Sequence, residues 1–87
     1  MKLLYCRRCK DIFGLRMKTR HCECEAISGK YLQDGINAIY SGNAIPLGID
    51  NNSLRSNSSQ PDNGSVYIKS FMIAKNCKTI KRVDEIQ

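Results

Sequence analysis

Five cysteines carry most of the chemistry available to this sequence, and four of them fall early as a spaced set. Cys6 and Cys9 form a C-x2-C pair, twelve residues separate Cys9 from Cys22, and Cys22 and Cys24 form a C-x-C pair. Thiolates are soft ligands, and two close pairs set a hairpin's length apart suit a tetrahedral ion, each pair supplying one edge. The pattern predicts a structural zinc ion held by Cys6, Cys9, Cys22 and Cys24. The second pair is one residue shorter than the commoner spacing, so its turn is expected to differ. His21 adjoins Cys22 and is an alternative ligand, because imidazole also suits zinc. A disulfide framework would need an oxidising compartment, and a bond within Cys22-Glu23-Cys24 would close a tight ring. Iron–sulfur clusters also take four thiolates, but at other usual spacings. Four sulfurs fill a zinc shell, whereas a catalytic zinc keeps one position open for water, so the site is expected to stabilise the fold rather than react.

The elements that hold such a site must come from 87 residues, which is one small domain. Hydrophobic residues make up 41% and aromatics 7%, with no Trp, so the core is thin and a metal staple is expected to complete it. Within the single domain, residues 1–28 read as a zinc ribbon, 29–50 and 66–87 as antiparallel sheet, and 51–65 as a polar loop. The fold class expected is small and mainly β, with N-terminal zinc-ribbon knuckles joined to an antiparallel sheet.

Between the cysteine pairs, Phe13, Leu15 and Met17 alternate with Gly14, Arg16 and Lys18, the period of a half-buried strand. Arg16, Lys18 and Arg20 would then recur along one face at a spacing that can follow a phosphate backbone. Phe13 falls on the other face, so the aromatic platform of a single-strand binder is missing there. Asp34-Gly35 suggests a two-residue type I′ hairpin, and Ser41-Gly42-Asn43 a second turn. Ile45, Leu47 and Ile49 share a face opposite Ala44, Pro46 and Gly48; the small face is expected to be shallow and accessible, and Pro46 to place this strand at an edge. Phe71 to Ala74 reads as a central strand, apolar on both faces. Cys77, the odd thiol, reads as a small buried hydrophobe. From Asn51 to Ser65, eleven of fifteen residues are Asn, Ser, Gly or Pro, which suits either a linker or a lid in which Asn51, Asn52 and Ser53 bind a nucleobase or phosphate.

Charge is unevenly spread. Residues 1–21 carry seven basic groups against Asp11 alone, the middle is net acidic, and the segment from Val66 is basic again. Arg7, Arg8, Lys10, Arg16, Lys18 and Arg20 are the candidate anion contacts. They also have a purely local use, since four thiolates on a dication leave negative charge that neighbouring cations offset. Lys2 is followed only by Leu3, Leu4 and Tyr5 before Cys6, too short for an apolar targeting stretch, and no run approaches the roughly 20 residues of a membrane span. A cytoplasmic protein without a membrane partner is the expectation.

Cys6-Arg7-Arg8-Cys9-Lys10-Asp11-Ile12-Phe13, the C-x-C pair, Ser28-Gly29-Lys30-Tyr31 and the stretch from Asn37 to Ser53 resemble small uncharacterised zinc-ribbon proteins of phages and bacteria. The resemblance implies the zinc-ribbon fold but no established activity, and it implies Gly after the C-x-C pair, where this chain has Glu25. No P-loop, dinucleotide fingerprint, zinc-protease helix or nucleophile–base pairing is present, so an enzyme is not expected. The function expected is a zinc-binding module that docks on nucleic acid or a nucleic-acid-handling protein through its basic N-terminal surface. The alternative is a phage-type counter-defence protein, compact or homo-oligomeric, that sequesters a small nucleotide or blocks a host protein.

Overall fold

The computed structural model describes residues 1–56 and 59–86, apart from the Ser56 side chain, so Asn57 and Ser58 of the expected polar loop lie outside the described residues. Among the described residues eight strands run β1 (Lys2–Cys6), β2 (Ile12–Gly14), β3 (Arg20–His21), β4 (Ser28–Tyr31), β5 (Ala38–Ser41), β6 (Ala44–Ile49), β7 (Ser70–Met72) and β8 (Ile80–Arg82), with one helix, α1 (Asn51–Ser56). They form two four-stranded sheets, ordered β2-β1-β6-β7 and β3-β4-β5-β8. The fold is mainly β, as expected, but the sheet is divided in two. One pairing, β5 with β8, is parallel. Among the described residues no helix is long and apolar enough to cross a membrane.

The division occurs at Gly42. The chain leaves β5 in one sheet and enters β6 in the other through Gly42 at φ 94°, where a Cβ would stand 2.5 Å from the Ala26 carbonyl oxygen. Only glycine tolerates both the positive φ and the close approach. The zinc-ribbon segment is therefore no separate unit: β1 and β2 extend the sheet of β6, while β3 begins the sheet of β4.

The inner faces of the two sheets meet in one cluster of Leu4, Cys6, Phe13, Leu15, Cys22, Ile27, Ala38 and Ile80. Two of these eight are cysteines of the candidate metal cluster, so only six hydrocarbon side chains complete this core. Leu4 is fully buried and lies over Gly29, where a Cβ would sit 2.6 Å from Leu4 Cδ1 and 2.8 Å from Leu15 Cδ2. The absent side chain at Gly29 is what lets the sheets close. At the opposite end from Cys6, Lys2 N–H donates to the Tyr31 hydroxyl at 2.9 Å, tying β1 to β4.

Several expectations are corrected. Pro46 lies within β6 between β1 and β7, not on an edge. Its carbonyl accepts from Ile73 N–H at 2.8 Å, so its missing donor faces the short β7 side and the β1 ladder is unbroken. The small face Ala44-Pro46-Gly48 is the inner one: Pro46 and Gly48 are buried, because Pro46 stands opposite Leu4 and the Phe71 ring covers Gly48. Phe71 and Met72 belong to an edge strand and are 52% and 73% exposed, so this apolar run is not central. The β4–β5 turn has only Gly35 at positive φ, so it is not type I′. Asp34 instead accepts the N–H groups of Ile36 and Asn37, both at 2.9 Å, which hold its carboxyl below the usual range. Asn51 to Ser56 is helical rather than loop, because Asp50 caps it by accepting from Asn52 N–H at 2.9 Å.

Candidate metal centre

Each cysteine pair occupies the turn of a hairpin. Cys6 ends β1 and Cys9 lies in the turn toward β2; Cys22 follows β3, and Cys24 lies in the turn toward β4. The two turns are closed alike. Cys6 N–H donates to the Asp11 carbonyl at 2.9 Å and Lys10 N–H to that of Cys6 at 2.9 Å. Cys22 N–H donates to the Ile27 carbonyl at 3.3 Å and Glu25 N–H to that of Cys22 at 3.0 Å. Both outer bonds span five positions, from Cys6 to Asp11 and from Cys22 to Ile27. The residue missing inside the C-x-C pair is thus regained after it, and the hairpin keeps its length.

The residue after each pair is left-handed: Lys10 has φ 66° and Glu25 φ 62°. The glycine that the zinc-ribbon resemblance implies is replaced by Glu25 without loss of the turn. For an L-residue this region costs roughly 1–2 kcal/mol. Lys10→Gly and Glu25→Gly should therefore each stabilise the metal-loaded protein by about 0.5–1 kcal/mol, after allowing for the extra freedom of glycine in the unfolded chain. Denaturant titration of each variant checks this, and unchanged midpoints would contradict it.

The four sulfur atoms lie within 4.8 Å of one another, with Cys6–Cys24 at 3.7 Å and Cys22–Cys24 at 3.5 Å. A disulfide needs about 2.05 Å, and all five cysteines are free thiols. Cys6 and Cys22 are buried in the core, Cys9 is half-buried and Cys24 is exposed, so the cluster is anchored at its inner edge and open at its outer one. His21 is exposed and stands outside the cluster. Asp11, which sequence reasoning overlooked, links the turns: its backbone closes the first and its carboxylate accepts Glu23 N–H at 3.2 Å.

The cluster is electrostatically prepared for a cation. Burial pushes the Cys22 thiol up, but the Ile27 N–H and the sulfurs of Cys24, Cys6 and Cys9 outweigh it and bring it down to about 6. Cys24 moves the other way: the Ala26 N–H lowers it, while burial and the sulfurs of Cys22, Cys9 and Cys6 push it up to about 12. Cys9 is lowered, chiefly by the N–H groups of Cys24 and Asp11. Cys22 and Cys9 are thus shifted toward the thiolate and Cys24 toward the thiol, and a bound cation would favour thiolates in the cluster.

The expected cationic stripe does not form. Leu15 N–H donates to the Lys2 carbonyl, where β1 begins, but the next carbonyl, that of Arg16, accepts Tyr31 N–H of β4 at 2.8 Å, so the chain passes to the other sheet and bends at Met17–Lys18. Met17 is 53% exposed rather than inward. Arg16 and Lys18 are exposed at the end of β1 remote from Cys6, about 13 Å away along the strand. Arg20 is committed to structure, donating to the Gly14 carbonyl at 2.9 Å with its guanidinium over Phe13 at 5.8 Å. Lys10 Nζ closes back onto the Arg7 carbonyl at 2.9 Å. Arg7 and Arg8 remain exposed at the metal end.

Asn51 and Asn52 are exposed on α1, whereas Ser53 Oγ accepts Lys69 N–H at 2.8 Å and so holds the segment leading into β7. Cys77 is half-buried against the core, and the Thr79 hydroxyl and N–H hold its thiol below the ordinary range. No family model, curated protein or solved structure matches the chain. The function must therefore be read from the geometry.

Proposed function

We propose that this chain is a non-catalytic zinc-ribbon module of the reducing cytoplasm, stapled by one zinc ion on Cys6, Cys9, Cys22 and Cys24, that docks on nucleic acid through the cationic surface at its metal end. What carries the reading is the closed sulfur cluster with Arg7 and Arg8 exposed inside its first turn. Tetrahedral ligation at a Zn–S distance of 2.3 Å places sulfurs about 3.8 Å apart, and the observed separations of 3.5 to 4.8 Å need little adjustment. With all four positions filled by thiolate, no position is left for an activated water. Two forked guanidiniums held by a rigid turn suit phosphate oxygens, and the thiolate ligands beside them do not compete for the outward-facing donors.

Binding to a labelled oligonucleotide should weaken steeply as salt rises. Replacing both arginines, Arg7→Glu with Arg8→Glu, should lower affinity about tenfold or more at low salt while metal content stays unchanged. The matched pair Arg16→Glu with Lys18→Glu, at the remote end, should cost less. Fluorescence anisotropy decides: absence of wild-type binding at low salt, or wild-type affinity in the Arg7/Arg8 variant, rejects this surface.

A further inference from the structure

We infer that the metal-end surface continues into a cleft between the two sheets that takes a single strand of nucleic acid, with Tyr40 against a base and Arg7, Lys75 and Arg82 on the phosphates either side of it. The inference rests on the nucleic-acid reading above and assigns it a path.

Two hollows of about 300 and 280 Å³ share a wall of Tyr40, Pro46, Ala74 and Lys75. Arg82 lines the first and Arg7 the second, so cations stand on both sides of the shared wall. Among the described residues no Asp or Glu lines either hollow. The position of Arg82 is the telling one. In the parallel β5–β8 pair, Ala38 stands opposite Ile80 and Tyr40 opposite Arg82. Ala38 and Ile80 are buried, so two residues further on Tyr40 and Arg82 occupy the same inward face. Arg82 is itself exposed, so its guanidinium stands at the mouth of the gap between the sheets, where its Nε donates to the Gly42 carbonyl at 3.1 Å. The remaining donors of its fork have an acid-free cleft before them.

Apart from Lys75, the shared wall is apolar or aromatic. Pro46 is buried, Tyr40 half-buried against the core, and Ala44 on the same small face of β6 keeps the hollow open on the Arg7 side. An aromatic face with cations on both sides matches one unpaired nucleotide within a strand, which presents a phosphate before and after each base. A free mononucleotide has a phosphate on one side only and would leave one cationic flank unused. A duplex keeps its bases stacked and would not place one against Tyr40.

The test uses the full metal-loaded chain and a fluorescent oligothymidylate of about ten nucleotides. Tyr40→Leu, which keeps a side chain on the core, should weaken binding about 5- to 100-fold. Lys75→Ala and Arg82→Ala should each lower affinity severalfold and reduce the slope of log affinity against log salt by about 0.7. Thermal melts and metal content of each variant confirm that it is folded. If wild-type protein binds no oligonucleotide, the nucleic-acid reading itself fails. If it binds but all three variants match it, while Arg7→Glu with Arg8→Glu does not, the reading stands and the cleft is refuted. Competition by a mononucleotide as strong as by the oligonucleotide, or tighter binding of duplex than of single strand, also overturns the strand assignment.

Discussion

Removing the metal should unfold the protein. Purified under reducing conditions, the chain is expected to carry one zinc ion, and a chelator at neutral pH should abolish its dispersed amide spectrum together with the ion. A domain of 87 residues has a net stability of about 4–13 kcal/mol, whereas zinc on thiolates contributes apparent values of about 10–16 kcal/mol. The two ranges overlap, so a zinc ion there would contribute about as much as the whole margin by which the chain is folded. Cys6 and Cys22 are candidate ligands and core residues at once, at 0% and 3% exposure. Cys6→Ser should therefore be the most damaging ligand change, since it loses a sulfur and buries a hydroxyl in its place. Cys24→Ser, at the exposed edge, should keep a folded chain with weakened metal affinity. Because protons compete for thiolates, metal release and unfolding should coincide as pH falls. A chain that stays folded when stripped would refute the staple.

The second large effect concerns the contact between Leu4 and Gly29. Leu4→Ala removes a fully buried side chain at the meeting point of the sheets and should cost about 2–5 kcal/mol. Gly29→Ala places a methyl 2.6 Å from Leu4 Cδ1, tight enough to force the sheets apart, at a cost of about 1–3 kcal/mol. The two defects are complementary in space, one leaving a void where the other inserts a group. The double variant should therefore be less destabilised than the sum by about 0.5–3 kcal/mol. Denaturant titration of the four proteins in the cycle, all metal-loaded, measures it; strict additivity would show that the two residues do not share the space.

The sulfur cluster was legible from sequence because its signal is local: ligand type and spacing within nineteen residues, Cys6 to Cys24, state a geometry without knowledge of the rest. The β character was legible for the same reason, through period-2 patterning. What the pattern does not carry is which strands share a sheet. Ser41-Gly42-Asn43 was legible as a turn between Ala38 and Ile49, but not as the point where the chain changes sheets, with the Ala26 carbonyl of the second cysteine turn closing on Gly42. The alternation beyond Phe13 fails at Met17 because the chain leaves β1 for β4, whose Tyr31 N–H binds the Arg16 carbonyl, and with it goes the row of Arg16, Lys18 and Arg20. Arg82 was visible only as tail charge. Its inward position depends on a parallel register with a strand some forty residues earlier, which no local rule specifies.

That distant register also sets an order of assembly. All four sulfurs are present once the polypeptide has grown past Cys24, so an ion can gather the two turns while later strands are still being made. Joining Ala38 to Ile80, like joining Lys2 to Gly48, closes a longer span than Cys6 to Cys24 and costs more closure entropy. An ion bound at that stage would be held before the wall of Tyr40 and Arg82 exists, because Ile80 and Arg82 are among the last residues made.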